Sequence, residues 1–183
     1  FVTIVSAPDP TPHLKLTTQN SVLVPIGGGK DSIVTAEILK THIPIRPIIV
    51  TPTTPASFTV SQMVSSLSPI IAHRGLDPNL LDLTSRGYLT GHIPYSAVLA
   101  FIFLFIAASQ NYRYIVVSNE AGSDEGNVEY LGHTINHQYS KSSQFESDFQ
   151  KYIADLTGKQ INYFSFLRPL HELQIAKLFS KME

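Results

Sequence analysis

The sequence predicts an α/β domain built on an open, mostly parallel sheet of five strands, with helices on both faces. Two observations lead to this fold class. Short apolar runs recur without polar alternation, which is typical of parallel strands that are buried on both faces. Segments of helical period separate these runs, so strands and helices alternate along the chain. A length of 183 residues suits one such domain.

The N-terminal half supplies the first strands. Prolines at positions 8, 10 and 12 interrupt the opening residues, so we interpret residues 1–20 as a short strand, 1–5, followed by an N-terminal segment or linker. The domain itself is expected over residues 21–183. Its first elements are a strand at 22–26, a helix at 30–42, a strand at 46–51 and a helix at 58–72.

The C-terminal half continues the alternation. Its elements are a helix at 94–110, a strand at 114–118, a polar loop at 119–127, a helix with an apolar stripe, a strand at 161–166 and a final helix after Arg168-Pro169-Leu170. The stripe consists of Phe145, Phe149, Tyr152, Ile153 and Leu156. Ser143 and Glu146 have the spacing of a capping box at the start of that helix, and Gly158 predicts its end.

Composition limits the classes of function. An apolar content of 43% and a charged content of 15% describe a globular protein, and a net charge of −1 argues against broad binding to nucleic acid or anionic membranes. The absence of cysteine excludes disulfides and thiolate metal sites and is consistent with the cytoplasmic location that we expect. The apolar run 97–108 is shorter than the roughly 20 residues that span a bilayer, and it predicts a buried helix. Because the chain starts without methionine and ends within a helical pattern, we expect a fragment of a longer protein.

A glycine-rich junction is the first candidate site. Gly27, Gly28 and Gly29 separate a predicted strand from a predicted helix, and without Cβ atoms they let the backbone approach a ligand closely. Their N–H groups, with the first-turn donors and the dipole of the helix, form an anion site. Lys30 adds a positive charge and Ser32 adds a hydroxyl donor. The junction is therefore predicted to bind phosphate groups.

Two known phosphate loops do not fit this junction. The Walker pattern requires Ser or Thr after the lysine, where this chain has Asp31, and the GxGxxG spacing is absent. The string GGGKDS does resemble the SGGxDS signature of the PP-loop ATP pyrophosphatases, with Gly27 in place of the usual serine. The resemblance implies a PP-loop ATP-binding domain over residues 21–183 that cleaves ATP to AMP and pyrophosphate. It also implies that Asp31 assists the Mg²⁺–pyrophosphate arrangement and that Thr51 contacts the adenine.

Polar strings between positions 87 and 149 form a second candidate site. The strings are GHIPYSA, SNEAGSDEGNV and INHQYSKS, the last followed by FESDFQKYI. The loop at 119–127 follows a strand and is expected to face the same crevice as the glycines. Its carboxylates are candidates for Mg²⁺ binding or proton transfer. Such residues are also common in loops that bind nothing, and this alternative stays open.

Together the strings resemble the ATP-dependent, MurL-type epimerases of peptidoglycan synthesis, which act on UDP-N-acetylmuramoyl-L-alanyl-L-glutamate. The resemblance covers roughly residues 20–180. It implies conversion of the terminal L-glutamate to D-glutamate, with ATP and Mg²⁺ as cofactors and a UDP-linked muramoyl dipeptide as the small-molecule substrate. No nucleic-acid or membrane partner is expected, and the oligomeric state stays open.

Within this resemblance, side chains of the polar strings become candidates for the acceptor site. The candidate catalytic residues, besides Asp31, are Glu120, Glu125, His137 and Lys141. The candidate substrate-binding residues are His92, Asn119, Asn127, Asn136 and Ser140. Two alternatives stay open: another PP-loop enzyme that amidates its substrate or thiolates tRNA, and a non-catalytic module that binds ATP or AMP. A tRNA modifier usually has a basic surface or sulfur-carrying cysteines, and this sequence has neither.

Overall fold

The computed structural model describes residues 19–89 and 94–182. Its strands are β1 (Gln19–Pro25), β2 (Ile45–Thr51), β3 (Ile70–His73), β4 (Tyr112–Val117), β5 (Val128–Tyr130), β6 (His133–Ile135) and β7 (Asn162–Ser165). Five of them form a parallel sheet in the order β3-β2-β1-β4-β7, and β5 and β6 form a separate antiparallel hairpin. The predicted five-stranded parallel sheet is confirmed.

Helices cover both faces of the sheet, as predicted. They are α1 (Lys30–Lys40), α2 (Pro55–Val64), α3 (Pro78–Ser85), α4 (Tyr95–Ser109), α5 (Ser143–Thr157) and α6 (Glu172–Phe179). In β1, Leu23 packs with residues of α4 and α5, whereas Val22 and Val24 pack with residues of α1 and α2. Successive side chains of a strand point to opposite faces, so a continuous apolar run fills two cores. Within the described ranges, no helix is long and apolar enough to cross a membrane.

The fifth strand of the sheet comes from a segment that the sequence placed in a helix. A helix was predicted over 58–72, but α2 ends at Val64 and β3 follows as an edge strand paired with β2. Pro69 cannot donate the backbone hydrogen bond that a continuing helix needs. The strand predicted at 1–5 lies outside the described residues, and β1 already begins at Gln19.

Helix α5 has a different cap from the predicted one. The N-cap is Ser142, whose Oγ accepts a hydrogen bond from the Phe145 N–H at 3.2 Å. Glu146, expected to complete a capping box with Ser143, instead accepts from the Ser165 N–H at 3.1 Å. The carboxylate therefore ties α5 to the end of β7 and does not cap its own helix.

Three short elements, α3 and the β5–β6 hairpin, were not predicted. All eight residues of α3 are described and none is buried, and every residue of both hairpin strands is exposed. Exposed segments lack the apolar periodicity on which the predictions relied. In contrast, the predicted end of α5 is confirmed, because Gly158 ends it with φ of 59°.

The chain changes direction across the sheet next to β1. From β1 it passes through β2 to β3, and it then crosses to β4 on the other side of β1. The connections that follow β1 and β4 therefore leave in opposite directions, which opens a crevice at the carboxyl ends of these two strands. Ligands of open α/β sheets bind at such a point.

Candidate functional site

The glycine junction lies between the carboxyl end of β1 and the start of α1. Gly28 has φ of +80°, and a Cβ atom there would lie 2.8 Å from the backbone nitrogen of Ser57. Both conformation and space therefore require glycine at this position. At Gly27 and Gly29 a Cβ atom would meet no described heavy atom within 4 Å. The backbone of these two residues is accessible to a ligand.

A cavity of about 280 Å³ lies beside the junction, where the carboxyl ends of β1 and β4 diverge. Pro25 ends β1, Val117 ends β4, and both line the cavity. Leu99 and Phe103 of α4, together with Tyr163 of β7, supply much of its apolar wall. The other lining residues are Gly27, Gly29, Asp31, Ser32, Ser96, Ser118 and Asn119. The predicted phosphate loop thus borders a cavity with polar and apolar walls. We call it the glycine-loop cavity.

Lys30 places its charge at the start of α1 beside two carboxylates. Its Nζ lies 2.7 Å from Asp31 Oδ1 and 2.8 Å from Glu172 Oε1. The hydrogen bonds to Asp31 and then to Glu172 raise the pKa of Lys30, so the ammonium is charged at neutral pH. The hydroxyl of Ser32, predicted as a donor to the ligand, donates to the Gly29 carbonyl at 2.8 Å.

Polar residues after β4 lie on another wall of the same cavity. Asn119 donates from Nδ2 to Ser165 Oγ at 3.1 Å. Ser118 Oγ is buried, and no described atom forms a hydrogen bond with it. A buried hydroxyl without a partner is uncommon, and this residue lines the cavity. Ser118 is therefore a candidate ligand contact that sequence reasoning missed, although it stands at the end of the predicted strand 114–118.

Tyr163 was also missed as a lining residue. Its side chain is buried, and its ring packs edge-on against Phe149 with centroids 5.0 Å apart. Burial, followed by the nearby Glu146 carboxylate, raises the pKa of Tyr163, so its hydroxyl remains protonated. The group is therefore a hydrogen-bond donor and not a base at neutral pH.

Of the predicted cofactor contacts, Gly28, Lys30 and Thr51 are not among the described residues that line the glycine-loop cavity. Thr51 ends β2, and its Oγ1 lies 2.8 Å from His73 Nδ1 and donates to the Ala72 carbonyl at 3.4 Å. Its role as an adenine contact stays a prediction. His92 lies outside the described residues.

A second cavity, of about 290 Å³, lies within the loop region after β4. Its lining residues are Glu120, Gly122, Ser123, Glu125, Gly126, Asn127, Asn136, His137 and Gln138. Asn119 lines the glycine-loop cavity and Glu120, the next residue, lines this one, so the two cavities adjoin along the chain. The structure thus brings most of the predicted acceptor residues into one place. We call it the loop cavity.

Two of these predicted residues also maintain the conformation of the loop. Asn136 donates from Nδ2 to the Ser123 carbonyl and accepts from the Gln138 N–H, both at 2.8 Å. Asn127 Oδ1 accepts from the His137 N–H at 3.2 Å. Loop structure therefore accounts for part of the polar string, in line with the alternative that the sequence left open.

Arg168 links the loop region to the sheet. Its Nη1 donates to the Glu120 carbonyl at 3.0 Å, and its Nη2 donates to the Lys141 carbonyl at 2.7 Å and to Glu146 Oε2 at 3.1 Å. A planar guanidinium can satisfy several acceptors at once. Lys141 and the buried Ser140, two of the predicted candidates, lie in the short turn before α5. Arg168 therefore positions the segments that carry Glu120 and Lys141.

One carboxylate at the glycine-loop cavity, that of Asp31, suits a Mg²⁺ ion that arrives with phosphate. Among the residues that the structure describes, no group of three or more His, Cys, Asp or Glu side chains could hold a metal ion. Mg²⁺ is often bound by one or two carboxylates together with phosphate oxygens. Asp31 lines the cavity beside the glycines, so its position suits such a shared site.

Comparison with known proteins gives a consistent set of relatives. Residues 3–166 match the family described as the MurL N-terminal domain. Two curated relatives are both named UDP-N-acetyl-alpha-D-muramoyl-L-alanyl-L-glutamate epimerase. The protein from Micromonospora sp. is 36% identical over 158 residues, and that from Xanthomonas oryzae pv. oryzae is 33% identical over 167 residues. These alignments cover 86% and 88% of this chain but 35% and 36% of the relatives. The chain therefore spans about a third of the length of the curated relatives that it matches.

A solved structure supports the fold. A predicted subunit of tRNA methyltransferase from Methanocaldococcus jannaschii aligns with a TM-score of 0.52 and 18% identity, covering 89% of this chain and 76% of that chain. At this identity the similarity shows the fold alone.

Proposed function

The chain belongs to the family of MurL N-terminal domains, and we propose that it is the ATP-binding part of an epimerase that acts on UDP-N-acetylmuramoyl-L-alanyl-L-glutamate. The proposed reaction converts the terminal L-glutamate to D-glutamate and cleaves ATP to AMP and pyrophosphate. One structural observation carries the ATP-binding part of the proposal: the backbone of Gly27 and Gly29 is accessible next to Lys30, at the cavity between β1 and β4. The names of the relatives support the choice of substrate.

Adenylation gives this epimerisation a chemical rationale. A carboxylate activates its α-hydrogen only weakly. Attack of a glutamate carboxylate oxygen on the α-phosphorus of ATP expels pyrophosphate and forms a mixed anhydride, whose α-proton is more acidic. A base removes that proton, an acid returns a proton to the opposite face, and water then cleaves the anhydride to AMP and the free carboxylate. The site must therefore hold ATP and the acceptor together with acid and base groups.

The glycine loop is proposed to bind the phosphates of ATP. The N–H groups of the loop and of the first turn of α1 supply donors, and the helix dipole favours negative charge there. Lys30 supplies a positive charge once a phosphate oxygen replaces one of its two carboxylate partners. The Ser118 hydroxyl lines the cavity and has no described partner, so it is a further candidate donor.

Asp31 is proposed to help hold Mg²⁺ through the pyrophosphate. When bound, Mg²⁺ neutralises negative charge on the phosphate oxygens. Asp31 lies beside the glycines and contacts the Lys30 ammonium at 2.7 Å. It can therefore orient that lysine while it shares in binding the ion.

The loop cavity is proposed to receive the glutamyl end of the acceptor. Glu120, Glu125 and His137 line it, and carboxylate and imidazole groups can accept and donate the α-proton. Lys141 lies in the following turn, where its ammonium is a candidate to bind a carboxylate. Arg168 is assigned a positioning role, because it contacts the backbone carbonyls of Glu120 and Lys141.

The full-length protein provides the test of this function. Incubation with ATP, Mg²⁺ and UDP-N-acetylmuramoyl-L-alanyl-L-glutamate is expected to release equal amounts of AMP and pyrophosphate during an initial single turnover. Chiral analysis after hydrolysis is expected to find D-glutamate. Pyrophosphate release without D-glutamate would contradict the epimerase and favour an enzyme that amidates its substrate or thiolates tRNA. ATP binding without any pyrophosphate release would favour a non-catalytic module.

A matched pair of variants tests the assignment of the glycine loop. Asp31→Asn removes the carboxylate that is proposed to help hold Mg²⁺, and it is expected to lower pyrophosphate release by about 100-fold or more, because the ion then stabilises the phosphoryl charge less well. Asp82→Asn is the control, because Asp82 is an exposed residue of α3 that pairs with Arg86 at 3.3 Å. Undiminished turnover in the Asp31 variant would refute the assignment.

A further inference from the structure

Helix α4 is apolar on all sides, although only one side packs against the sheet. Its sequence, YSAVLAFIFLFIAAS, contains no charged residue. Its own buried residues, on the side that faces the sheet, are Ala100, Phe103, Leu104 and Ala107. On the other side, Phe101 and Phe105 are 49% and 74% exposed. A helix that is apolar all round is normally covered all round, so a large part of the surface of α4 lacks its expected cover.

Helix α5 packs beside α4 and has a very different outer surface. The Phe101 ring of α4 contacts Phe149 of α5 with centroids 4.9 Å apart, so the two helices share one layer. The buried residues of α5 are Phe149, Ile153 and Thr157. Its exposed positions include Gln144, Asp148, Gln150, Lys151 and Asp155. The exposed surface of α5 is thus mostly polar, with the 48% exposed Tyr152 as its large apolar exception, and the more continuous exposed apolar surface belongs to α4.

The uncovered side of α4 borders a groove of about 570 Å³, which we call the α4 groove. The residues that line it are Ala72, Val98, Phe101, Ile102, Phe105 and Ile106. Ala72 belongs to β3, so the groove runs between α4 and the edge strand of the sheet. An apolar surface of this kind usually marks a site of contact with other protein.

We propose that the α4 groove is covered by the region of the full-length protein that follows this domain. The curated relatives are covered over only 35% and 36% of their length, which leaves about two thirds of each outside the matched stretch. The matched family is an N-terminal domain, so most of the additional length follows it. This inference does not depend on the proposed reaction, since it concerns a surface that neither cavity uses.

The chemistry of the groove favours a permanent contact within one chain. Apolar side chains make up the lining, and α4 offers no charge to attract a polar or anionic partner. Permanent interfaces resemble a protein core and are more apolar than interfaces that form and separate.

Thiol labelling of the full-length protein tests this proposal. The 183 residues contain no cysteine, so Phe105→Cys introduces a single thiol in this domain, in a background where any other cysteine is replaced by serine. Met63→Cys is the matched control, since Met63 is 70% exposed against 74% for Phe105 and lies on α2, across the sheet. In dilute native protein, the F105C thiol is expected to react with a maleimide at least about tenfold more slowly than the M63C thiol, and denaturation should remove the difference.

The other outcomes would overturn the proposal. Equal rates in the native protein would mean that the groove is open. Protection that appears only at high protein concentration would indicate that a second copy of the protein covers the groove. Protection that requires phosphatidylcholine vesicles would indicate that a lipid surface covers it. Val98→Cys, at a smaller and 40% exposed lining residue, repeats the measurement if circular dichroism finds that the Phe105 variant is misfolded.

Discussion

The Lys30 ammonium lies 2.8 Å from the Glu172 carboxylate, which joins the first residue of α1 to the first residue of α6. Asp31 contacts the same ammonium at 2.7 Å and lines the glycine-loop cavity. The Glu172 side chain is 63% exposed, so it can turn into solvent. Of the two carboxylates, Glu172 is therefore the one that we expect an incoming phosphate to displace.

Replacing Glu172 should strengthen nucleotide binding. Glu172→Gln removes a carboxylate that competes with phosphate for Lys30, and exposed ion pairs contribute about 0.2–1 kcal/mol, which corresponds to a decrease in Kd of up to about fivefold. Isothermal titration of the full-length protein with ATP measures the change. Glu37→Gln is the control, because Glu37 pairs with Lys40 at 2.6 Å near the other end of α1 and should leave Kd unchanged. Weaker binding in the Glu172 variant would mean that this carboxylate aids the ligand.

The raised pKa of Lys30 sets the pH range in which its ion pairs stabilise the folded protein. An ammonium whose pKa is higher in the folded than in the unfolded protein stabilises the fold fully below the unfolded value, 10.5, and this stabilisation disappears as pH rises through the folded value. The difference in unfolding free energy between the wild type and Lys30→Gln should therefore be constant from about pH 7 to about pH 9 and shrink above about pH 10.5. Urea unfolding across this range measures it. A decline that begins near about pH 8 would contradict the prediction.

Two glycine substitutions should separate folding from binding. Gly28→Ala places a Cβ atom 2.8 Å from the Ser57 nitrogen at φ of +80°, and strain of this kind is expected to lower the free energy of unfolding by about 1–3 kcal/mol. Gly29→Ala meets no described atom within 4 Å, so its effect on unfolding should stay below about 1 kcal/mol, while the methyl group on the accessible backbone weakens ATP binding. Denaturant unfolding and calorimetry measure the two effects. Equal loss of stability in both variants would argue against the loop conformation described.

Arg168 should matter more for stability than its carboxylate partner. Arg168→Met removes the contacts with the Glu120 and Lys141 carbonyls and with Glu146, and it leaves that carboxylate without its cation. Breaking a largely buried ion pair in this way costs about 3–5 kcal/mol. Glu146→Gln retains an oxygen that can accept from the Ser165 N–H, and Arg168 keeps both carbonyl contacts and the Asp124 carboxylate at 3.6 Å. The loss in this variant should therefore be nearer about 1 kcal/mol. Urea unfolding of both variants provides the comparison, and equal losses would show that the carbonyl contacts of Arg168 contribute little.

The sequence predicted the inner strands and the glycine loop because their signals are local. β1, β2 and β4 are buried on both faces and need continuous apolar runs, and the loop needs glycines within a few residues of one another. The prediction of a helix through the residues of β3 was wrong because an edge strand gives a much weaker local signal. β3 is a four-residue edge strand, and the helical spacing of Val60, Val64 and Leu67 before it concealed the stop at Pro69.

The loop region was predictable only as a group of residues. The strings identified Glu120, Glu125 and His137 as neighbours, and the loop cavity brings them together. The position of Arg168 beside Glu120, 48 residues earlier in the chain, depends on the pairing of β4 with β7 and could not be derived from local patterns. Its only signal was the short string that precedes the last helix.

The late position of Arg168 in the chain also affects the order in which parts of the protein can fold during synthesis. The glycine loop and then residues 119–141 emerge from the ribosome before the arginine that contacts them, and domains assemble from the N-terminal side as they emerge. A nascent chain that ends before β7 can therefore contain the complete phosphate loop but not the anchor of the loop cavity. Incomplete translation products that end before Arg168 would therefore contain the proposed nucleotide site but lack the arginine that contacts the Glu120 and Lys141 carbonyls beside the proposed acceptor site.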